Sequence, residues 1–291
     1  MILITGATGN VGVELVKRLA GGRQRVRAFV HRRAAARAIA LPGVEIVEGD
    51  FAQPDTFTRA LAGIERLFLL IPSSSDVEEQ QCNFVDAARR SNVRHIVKLS
   101  QFAADENAPG RFQRYHGTVE NYIRKTLIPF TFLRPNLFMR GLLNFRSAIS
   151  SRGSMYAPAG NARVSVVDVR DIASIAARAL TESGHEGEIY NITGPRALTH
   201  AEMADQLSWA LAKPIKYVDV PPGAMREALL GFGMPTWRAD GLLEDYEHYR
   251  RGEAETVTST VYDLTGSKPI PFFRFAQDYA ERFLGKEASA A

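Results

Sequence analysis

The chain has 291 residues, of which 45% are hydrophobic and 23% charged, and its formal net charge is +4. This composition is typical of an ordinary globular protein with one large domain, or with one domain and a smaller lobe. It excludes an intrachain disulfide, because Cys82 is the single cysteine. The basic excess is mild and forms no stripe interleaved with aromatic residues, so we expect no nucleic-acid partner. No apolar run approaches the ~20 residues of a membrane span, and the chain opens on a strand pattern rather than a signal peptide, so we expect a cytoplasmic protein without a membrane partner.

Short apolar runs alternate with helical patterns through the first half of the chain. Strands are predicted at MILIT, RVRAFV, VEIVEGD, RLFLLI, RHIVKLS and PFTFLRP. Helices are predicted in the intervals, including AAARAIAL, QPDTFTRALAG and the ranges 76–91 and 114–127. This alternation predicts an α/β fold, a doubly wound parallel (Rossmann) sheet whose ligands bind beyond the carboxyl ends of the strands.

The regular alternation of strand and helix patterns ends after residue 135. Residues 1–135 are therefore predicted to form the Rossmann domain, and 164–195, with a helix at 170–181 and the strand EIYNIT, to cross back into it. Residues 136–163 and 196–285 are predicted to form a smaller, mixed α/β substrate lobe. The tail 286–291 is predicted to be frayed.

Three glycines at intervals of three follow the first strand. Such a loop, between a strand and a helix N-terminus, places backbone N–H groups and the positive end of the helix dipole against a phosphate. Within a βαβ unit it predicts a dinucleotide site in residues 1–135, the alternative being a glycine turn used only for packing. The loop residues expected at the cofactor are Gly6, Thr8, Gly9, Asn10, Val11 and Gly12.

Basic residues follow the second strand, at His31, Arg32 and Arg33. An acidic side chain there would bind the ribose 2′-hydroxyl of NAD, whereas arginine accommodates the 2′-phosphate of NADP. Since no Asp or Glu lies between Gly22 and Glu45, NADP(H) is favoured over NAD(H). The alternative is that the two arginines belong to a solvated helix start.

The ends of the next strands supply the remaining predicted cofactor contacts. Asp50 is expected at the adenine amino group, although it could instead cap the following turn. The predicted contacts are Asp50, Phe51, Ile71, Pro72, Ser73, Ser100 and Gln101.

Five segments together resemble a known family. They are ITGATGNVG, GDF, YHGTVENYIRKTLIPFTFLRPNLFM, SVVDVRDIA and NITGP, in this order and spacing. They are similar to the NmrA-like family of atypical short-chain dehydrogenase/reductases over nearly the whole chain. The resemblance implies NAD(P)H binding. Family members include NADPH-dependent quinone and azo or triphenylmethane dye reductases, redox-sensing regulators that bind NADP, and enzymes that tailor aromatic polyketides.

The helix after the fifth strand departs from ordinary short-chain dehydrogenases. Those enzymes use Tyr-x-x-x-Lys as an acid/base pair, whereas this chain has His116 and Glu120 at i and i+4, which are predicted to pair. Tyr115 is predicted to face the core with Val119 and Tyr122. Standard carbonyl–alcohol chemistry is therefore not expected.

Hydride transfer to a quinone or an extended conjugated dye remains possible without a strong acid, because the developing anion is delocalised. The predicted catalytic residues are His116, as a proton or hydrogen-bond donor, with Glu120 and Asn136. The alternative role of His116 is only to pair with Glu120. A flat apolar substrate pocket is predicted from Phe102, Phe112, Phe138, Met139, Phe145, Met155, Tyr156 and Trp237, about half of which are equally well read as core.

Three hypotheses follow. The leading one is an NADPH-dependent reductase of quinone-like or other conjugated aromatic substrates, without flavin or metal, since the six histidines show no metal-ligand spacing. The second is an NADP(H)-sensing protein with a partner surface within 221–250. The third is a tailoring reductase or oxygenase of aromatic polyketide biosynthesis. A monomer or a homodimer would fit each of them.

Overall fold

The computed structural model describes residues 1–286, so the predicted frayed tail lies, apart from Lys286, outside the described residues. The strands are β1 (Ile2–Ile4), β2 (Val26–Val30), β3 (Val44–Glu48), β4 (Arg66–Leu69), β5 (His95–Leu99), β6 (Phe130–Pro135), β7 (Ser154–Ala157), β8 (Arg163–Val164), β9 (Ile189–Ile192), β10 (Leu198–Thr199) and β11 (Lys216–Asp219). The α-helices are α1 (Asn10–Gly21), α2 (Phe57–Leu61), α3 (Val77–Arg90), α4 (Arg111–Lys125), α5 (Arg146–Arg152), α6 (Val169–Thr181), α7 (His200–Leu211), α8 (Pro222–Gly231), α9 (Thr236–Arg250), α10 (Thr260–Thr265), α11 (Phe272–Asp278) and α12 (Ala280–Phe283).

The central sheet has seven strands in the order β3-β2-β1-β4-β5-β6-β9. The first six are parallel to their neighbours. The N–H groups of Phe132 and Asn136 donate to the carbonyls of Glu188 and Ile192, so β9 also runs parallel. The order reverses between β1 and β4, as the right-handed crossovers of a doubly wound sheet require. The predicted Rossmann fold is confirmed.

Two of the predicted helices are shorter or tighter than expected. AAARAIAL lies in a 3-10 helix, Arg33–Ile39, and the predicted helix at 53–63 begins with a 3-10 turn, Pro54–Thr56, before α2. The sequence around Pro42 and Gly43 ends the first of them after about two turns, because neither residue continues a helix.

The chain divides into two compact units. The first comprises Met1–Pro135 and Val169–Asn191, and the second comprises Asn136–Asp168 with the described residues from Ile192 onward. The segment that returns to the first unit contains α6 and most of β9, and it is shorter at both ends than the predicted 164–195.

Aromatic packing fills one side of the first unit. The rings of Phe29, Phe57 and Phe84 are buried and meet edge-on or tilted, with centroids 4.7 to 6.4 Å apart. Phe51, predicted at the adenine, joins this cluster at 5.0 Å from Phe29 and 5.2 Å from Phe84. Its ring is partly buried, so packing accounts for much of its surface.

The second unit has a core of its own. Two short sheets, β10-β8 and β11-β7, accompany its helices. Met139 and Met155, predicted to line the substrate pocket, are 0% exposed and belong to this core, with Phe145 packed against it. The prediction of a substrate role for the two methionines is corrected to core packing, the role that flexible apolar side chains usually have.

No helix within residues 1–286 is both long and apolar enough to cross a membrane.

His200, at the start of α7, is an unusual residue of the second core. It is fully buried between the rings of Tyr217 and Tyr246, at 5.6 and 5.7 Å, and neither ring nitrogen has a hydrogen-bond partner among residues 1–286. Burial lowers the pKa of His200 to about 4, against the weaker opposing effect of Asp219. The folded protein therefore holds a neutral imidazole that the unfolded chain would protonate below its ordinary pKa.

His200 makes the protein sensitive to acid. Because its pKa is lowered on folding, the unfolded state binds the additional proton as pH falls from about 6.5 to about 4, and stability is lost across that window. We expect His200→Leu to gain about 2 kcal/mol relative to the parent protein between pH 7 and pH 5. Urea unfolding at both pH values measures this difference. A pH-independent effect would contradict the assignment.

Candidate functional site

The glycine loop follows β1 and opens α1. Gly6 has φ +60°, a left-handed conformation that glycine tolerates. A Cβ on Gly12 would lie 2.1 Å from the carbonyl oxygen of Gly6, so Gly12 is required by packing. A Cβ on Gly9 would meet only that same oxygen, at 3.2 Å. Gly9 is thus the glycine whose outer side is open.

No side chain in the described part of the chain caps the N-terminus of α1. Gly9 occupies the cap position without a side-chain bond, and the first turn contains no acidic residue. The first helical bond runs from Val13 N to Gly9 O at 3.0 Å, so the amides of Asn10, Val11 and Gly12 precede it. Thr8, Gly9 and Asn10 are exposed. This surface cradle of donors at a positive helix end fits a nucleotide phosphate.

The three basic residues after β2 are exposed, but their contacts differ. Arg33 donates to the carbonyl of Ile46 at 3.2 Å, and His31 lies 3.8 Å from Asp50. Within residues 1–286, the guanidinium of Arg32 makes no hydrogen bond or ion pair. Of the two predicted arginines, Arg32 is the one open to an anion, and Arg33 is partly used by the fold.

Asp50 forms the turn cap that was the alternative to its cofactor role. Its Oδ1 accepts from the backbone of Ala52 at 2.9 Å, while Oδ2 faces His31. Beyond β4, Ile71 is buried and Pro72 is exposed. These positions lie at the carboxyl ends of β3 and β4, where the fold binds ligands.

A buried ionic network is centred on Glu120 of α4 and includes Ser100, which directly follows β5. Glu120 is 0% exposed and is held by both arms of Arg134, at 2.9 and 2.5 Å, with Arg124 at 3.7 Å. Ser100, itself buried, donates to Glu120 at 2.5 Å. The hydrogen bonds of these two side chains give them a structural role inside the protein. The catalytic role of Glu120 and the cofactor contact of Ser100 stay predictions.

His116 does not pair with Glu120 as predicted. Its Nδ1 lies 2.7 Å from Nζ of Lys98, which is on β5 and 0% exposed. Burial, opposed by Glu120 and reinforced by Arg134, lowers the pKa of Lys98 to about 7. Burial and the two cations, Lys98 and Arg134, hold the pKa of His116 well below its ordinary value. The imidazole is therefore neutral at pH 7.

The network continues from His116 to β4. The ring of Tyr115 lies 4.1 Å from that of His116, and its hydroxyl is 3.0 Å from Ser73 Oγ. Tyr115 is buried, as predicted, and Phe112 packs edge-on against it at 6.3 Å. Ser73 after β4, Tyr115 and His116 on α4, and Lys98 on β5 thus form a connected set within the first unit. The two strands involved are parallel neighbours in the sheet.

Lys98 is the member of this network that the sequence did not single out. Its strand, HIVKL, is buried at all five positions. A lysine inside a wholly buried strand is rare, because an ammonium group removed from water needs a partner. The lysine within the strand pattern HIVKL was therefore the sequence feature that could have pointed to this site.

Asn136, predicted to be catalytic, is held by hydrogen bonds within the protein. It is buried in the second unit, where its amide donates to Ser165 at 2.9 Å and Ala254 at 2.8 Å and accepts from Leu137 N. These hydrogen bonds join three chain segments, which accounts for the burial of Asn136, and its catalytic role stays a prediction.

The remaining predicted residues lie at partly exposed positions. Gln101 and Phe102 follow β5, with Phe102 N bonded to Pro135 O at 2.9 Å. Phe138, Tyr156 and Trp237 are partly exposed residues of the second unit, and their substrate role stays a prediction. No group of three His, Cys, Asp or Glu side chains within residues 1–286 could hold a metal ion.

Comparison with known proteins shows the family to which this chain belongs. The sequence profile of the NmrA-like family matches residues 1–260. A (4-alkanoyl-5-oxo-2,5-dihydrofuran-3-yl)methyl phosphate reductase of Streptomyces griseus is 37% identical, and an NAD(P)H azoreductase of Xenophilus azovorans is 34% identical, each over 97% of this chain and 99% of the relative. The crystal structure of an NADPH-dependent quinone oxidoreductase from Escherichia coli, complexed with NADPH, superimposes with a TM-score of 0.86 at 27% identity, covering 96% of this chain and 99% of that one. These matches confirm the resemblance that the motifs carry, and this chain belongs to the NmrA-like family.

Proposed function

We propose that this protein is an NADPH-dependent reductase that transfers a hydride to quinone-like or other conjugated aromatic acceptors. The observation that carries the proposal is the open amide cradle at Gly9, in the same unit as an uncharged His116 that a buried lysine orients. The relatives support it, since their names give NAD(P)H-dependent reduction of azo compounds and quinones.

The cofactor would be held by the ends of successive strands. The amides of Asn10, Val11 and Gly12 would bind the pyrophosphate, and Arg32 would bind the 2′-phosphate. Bound there, NADPH supplies the hydride. We expect no flavin and no metal in the reaction.

His116 then acts as a hydrogen-bond donor to the acceptor. A quinone oxygen gains negative charge as it is reduced, and a donor in a partly dry site stabilises that charge. A neutral imidazole suits this role, because it donates a proton without placing a fixed cation beside the hydride-accepting carbon or oxygen.

Arg32→Ala should weaken the use of NADPH much more than the use of NADH. An exposed charge-assisted contact to a phosphate is worth about 1.5–3 kcal/mol, so we expect KM for NADPH to rise roughly tenfold or more while KM for NADH changes little. Arg33→Ala should have the smaller effect, because Arg33 also bonds the carbonyl of Ile46. Steady-state kinetics with both cofactors measure the split. Equal losses for NADPH and NADH would remove the 2′-phosphate assignment.

The function itself is tested by adding a panel of quinones and conjugated dyes to the protein with NADPH, while nicotinamide absorbance is followed. We expect tight binding and acceptor-dependent oxidation of the cofactor. Tight binding without turnover would contradict the reductase and favour the NADP(H)-sensing alternative. Absence of binding would contradict both.

A further inference from the structure

The contact between Lys98 and His116 points to more than support of a helix. We propose that Lys98 is the proton source behind His116: its Nζ passes a proton to Nδ1 as the Nε2–H of His116 protonates the reduced acceptor. The inference rests on the proposed function, and it assigns to Lys98 a positioning and proton-supplying role in the same site.

The geometry is that of a short relay. Lys98 Nζ is 2.7 Å from His116 Nδ1 and 3.3 Å from the carbonyl oxygen of Leu99. The lysine side chain is wholly buried, whereas His116 is partly exposed. Any proton that leaves Lys98 along this hydrogen bond therefore passes through the imidazole.

The direction of the hydrogen bond fixes the tautomer. An ammonium group only donates, so Nδ1 of His116 accepts from Lys98 and the ring proton is assigned to Nε2. This is the arrangement that a proton donor needs, with the donor nitrogen on the side away from the protein partner. Without Lys98, Nδ1 of His116 would lose the donor that selects the Nε2–H tautomer.

The charges around Lys98 favour release of its proton. Glu120 on α4 attracts the ammonium, but both arms of Arg134 on β6 already bind that carboxylate. Arg124 adds a further positive charge beside Glu120, and Cys82 on α3 faces Lys98 as a thiol whose pKa burial raises to about 11. The thiol therefore stays neutral at pH 7 and adds no negative charge beside Lys98, so the carboxylate that attracts the ammonium is one already bound by Arg134.

The lowered pKa agrees with this picture. At about 7, the pKa of Lys98 lets the group hold a proton in the resting protein and give it up during turnover. An undisturbed lysine, with a pKa near 10.4, would be a much weaker acid at neutral pH.

The step is balanced as follows. A quinone that has accepted a hydride is a hydroquinone monoanion. The O–H bond forms with the proton from Nε2, the N–H bond at Nδ1 forms with the proton from Lys98, and Lys98 becomes a neutral amine. Water then protonates Nε2, and the Nδ1 proton returns to Lys98. The net reaction takes one proton from solvent, as reduction of a quinone to a hydroquinone requires.

The arrangement differs from Tyr-x-x-x-Lys in its layout. There the lysine is one turn after the acid on the same helix, whereas Lys98 precedes His116 by 18 residues and lies on the neighbouring strand. The sheet, rather than the helix, brings the two side chains together.

Comparing the reduction of two classes of acceptor distinguishes a proton relay through Lys98 from a purely structural role of Lys98. Quinone reduction consumes a proton, but a triphenylmethane dye cation becomes the neutral leuco dye on accepting a hydride alone. We expect Lys98→Met to lower the ratio of quinone to dye kcat by tenfold or more, since proton transfer typically contributes 10²–10⁴-fold. In the parent protein, the quinone rate should also fall as pH rises through about 7 and the dye rate should not.

Lys213→Met is the control, because it removes another hydrogen-bonded ammonium group, partly buried and bonded to Ile149 O and Ser150 O, without touching His116. Its ratio should equal that of the parent. Equal loss of both activities in Lys98→Met would reduce Lys98 to a structural role and overturn the relay. Failure of the parent protein to reduce either acceptor would instead overturn the proposed function.

A second measurement needs neither turnover nor a folded variant. Nitrogen-15 NMR of the parent protein without cofactor should show Nδ1 of His116 as an acceptor and Nε2 as protonated. A ring proton on Nδ1 at pH 6, where Lys98 is charged, would contradict the proposal.

Discussion

Replacing Gly9 with alanine should abolish tight cofactor binding in a protein that remains folded. The new methyl group would stand in the cradle between the α1 amides and the phosphate, while its only close neighbour is the Gly6 oxygen at 3.2 Å. We expect the dissociation constant for NADPH to rise about 100-fold, or about 2.7 kcal/mol, and the unfolding free energy to change by less than about 1 kcal/mol. Fluorescence titration and urea unfolding measure the two quantities.

Gly12→Ala is the matched control, because it should reduce the stability of the fold as well as cofactor binding. Its methyl group would lie 2.1 Å from the Gly6 oxygen and 2.7 Å from Ala7 Cα, so the loop must shift before any ligand is added. We expect a loss of about 3 kcal/mol of stability together with the loss of binding. If Gly9→Ala destabilised the protein as much as Gly12→Ala, the loop would be a packing device and the phosphate assignment would fail.

Replacing Arg134 with methionine should strongly destabilise the first unit. Glu120 is wholly buried, and Arg134 supplies its bidentate partner. Breaking a buried ion pair costs about 3–5 kcal/mol. Arg124, at 3.7 Å, and Ser100 remain beside Glu120, so we expect the lower part of that range. Chemical denaturation of the purified variant measures the loss.

The double variant, Arg134→Met with Glu120→Met, should recover most of that stability, because replacing a whole buried pair with apolar side chains is often close to neutral. Ser100 then loses its acceptor, so recovery is not complete. A double variant as unstable as Arg134→Met alone would show that the cost does not come from the stranded carboxylate.

The sheet was predictable from the sequence because its signals are local. β1 to β6 appear as short apolar runs separated by helical patterns, and each predicted strand is present. The glycine loop was predictable for the same reason, since spacing along the chain defines both its turn and the helix N-terminus. Only the structure separates Gly9, which is open, from Gly12, which packing requires.

The interior of the site was not predictable, because its contacts join distant segments. Helical spacing allows His116 and Glu120 to pair, but both side chains contact other strands instead. His116 contacts Lys98 on β5, and Glu120 contacts Arg134 on β6. A lone polar residue after a strand, such as Asn136, has the same sequence pattern whether it faces a ligand or holds the fold together. Its partners, Ser165 and Ala254, lie 29 and 118 residues away.

The most direct test of the proposed reductase is transfer of deuterium from carbon-4-deuterated NADPH to a triphenylmethane dye cation. The dye is suited to this measurement because the hydrogen it gains is bound to carbon and does not exchange with water. We expect the leuco dye to carry the deuterium, detected by mass spectrometry, with a primary isotope effect on the rate. A leuco dye without deuterium, or no reduction of conjugated acceptors by a protein that binds NADPH tightly, would contradict direct hydride transfer.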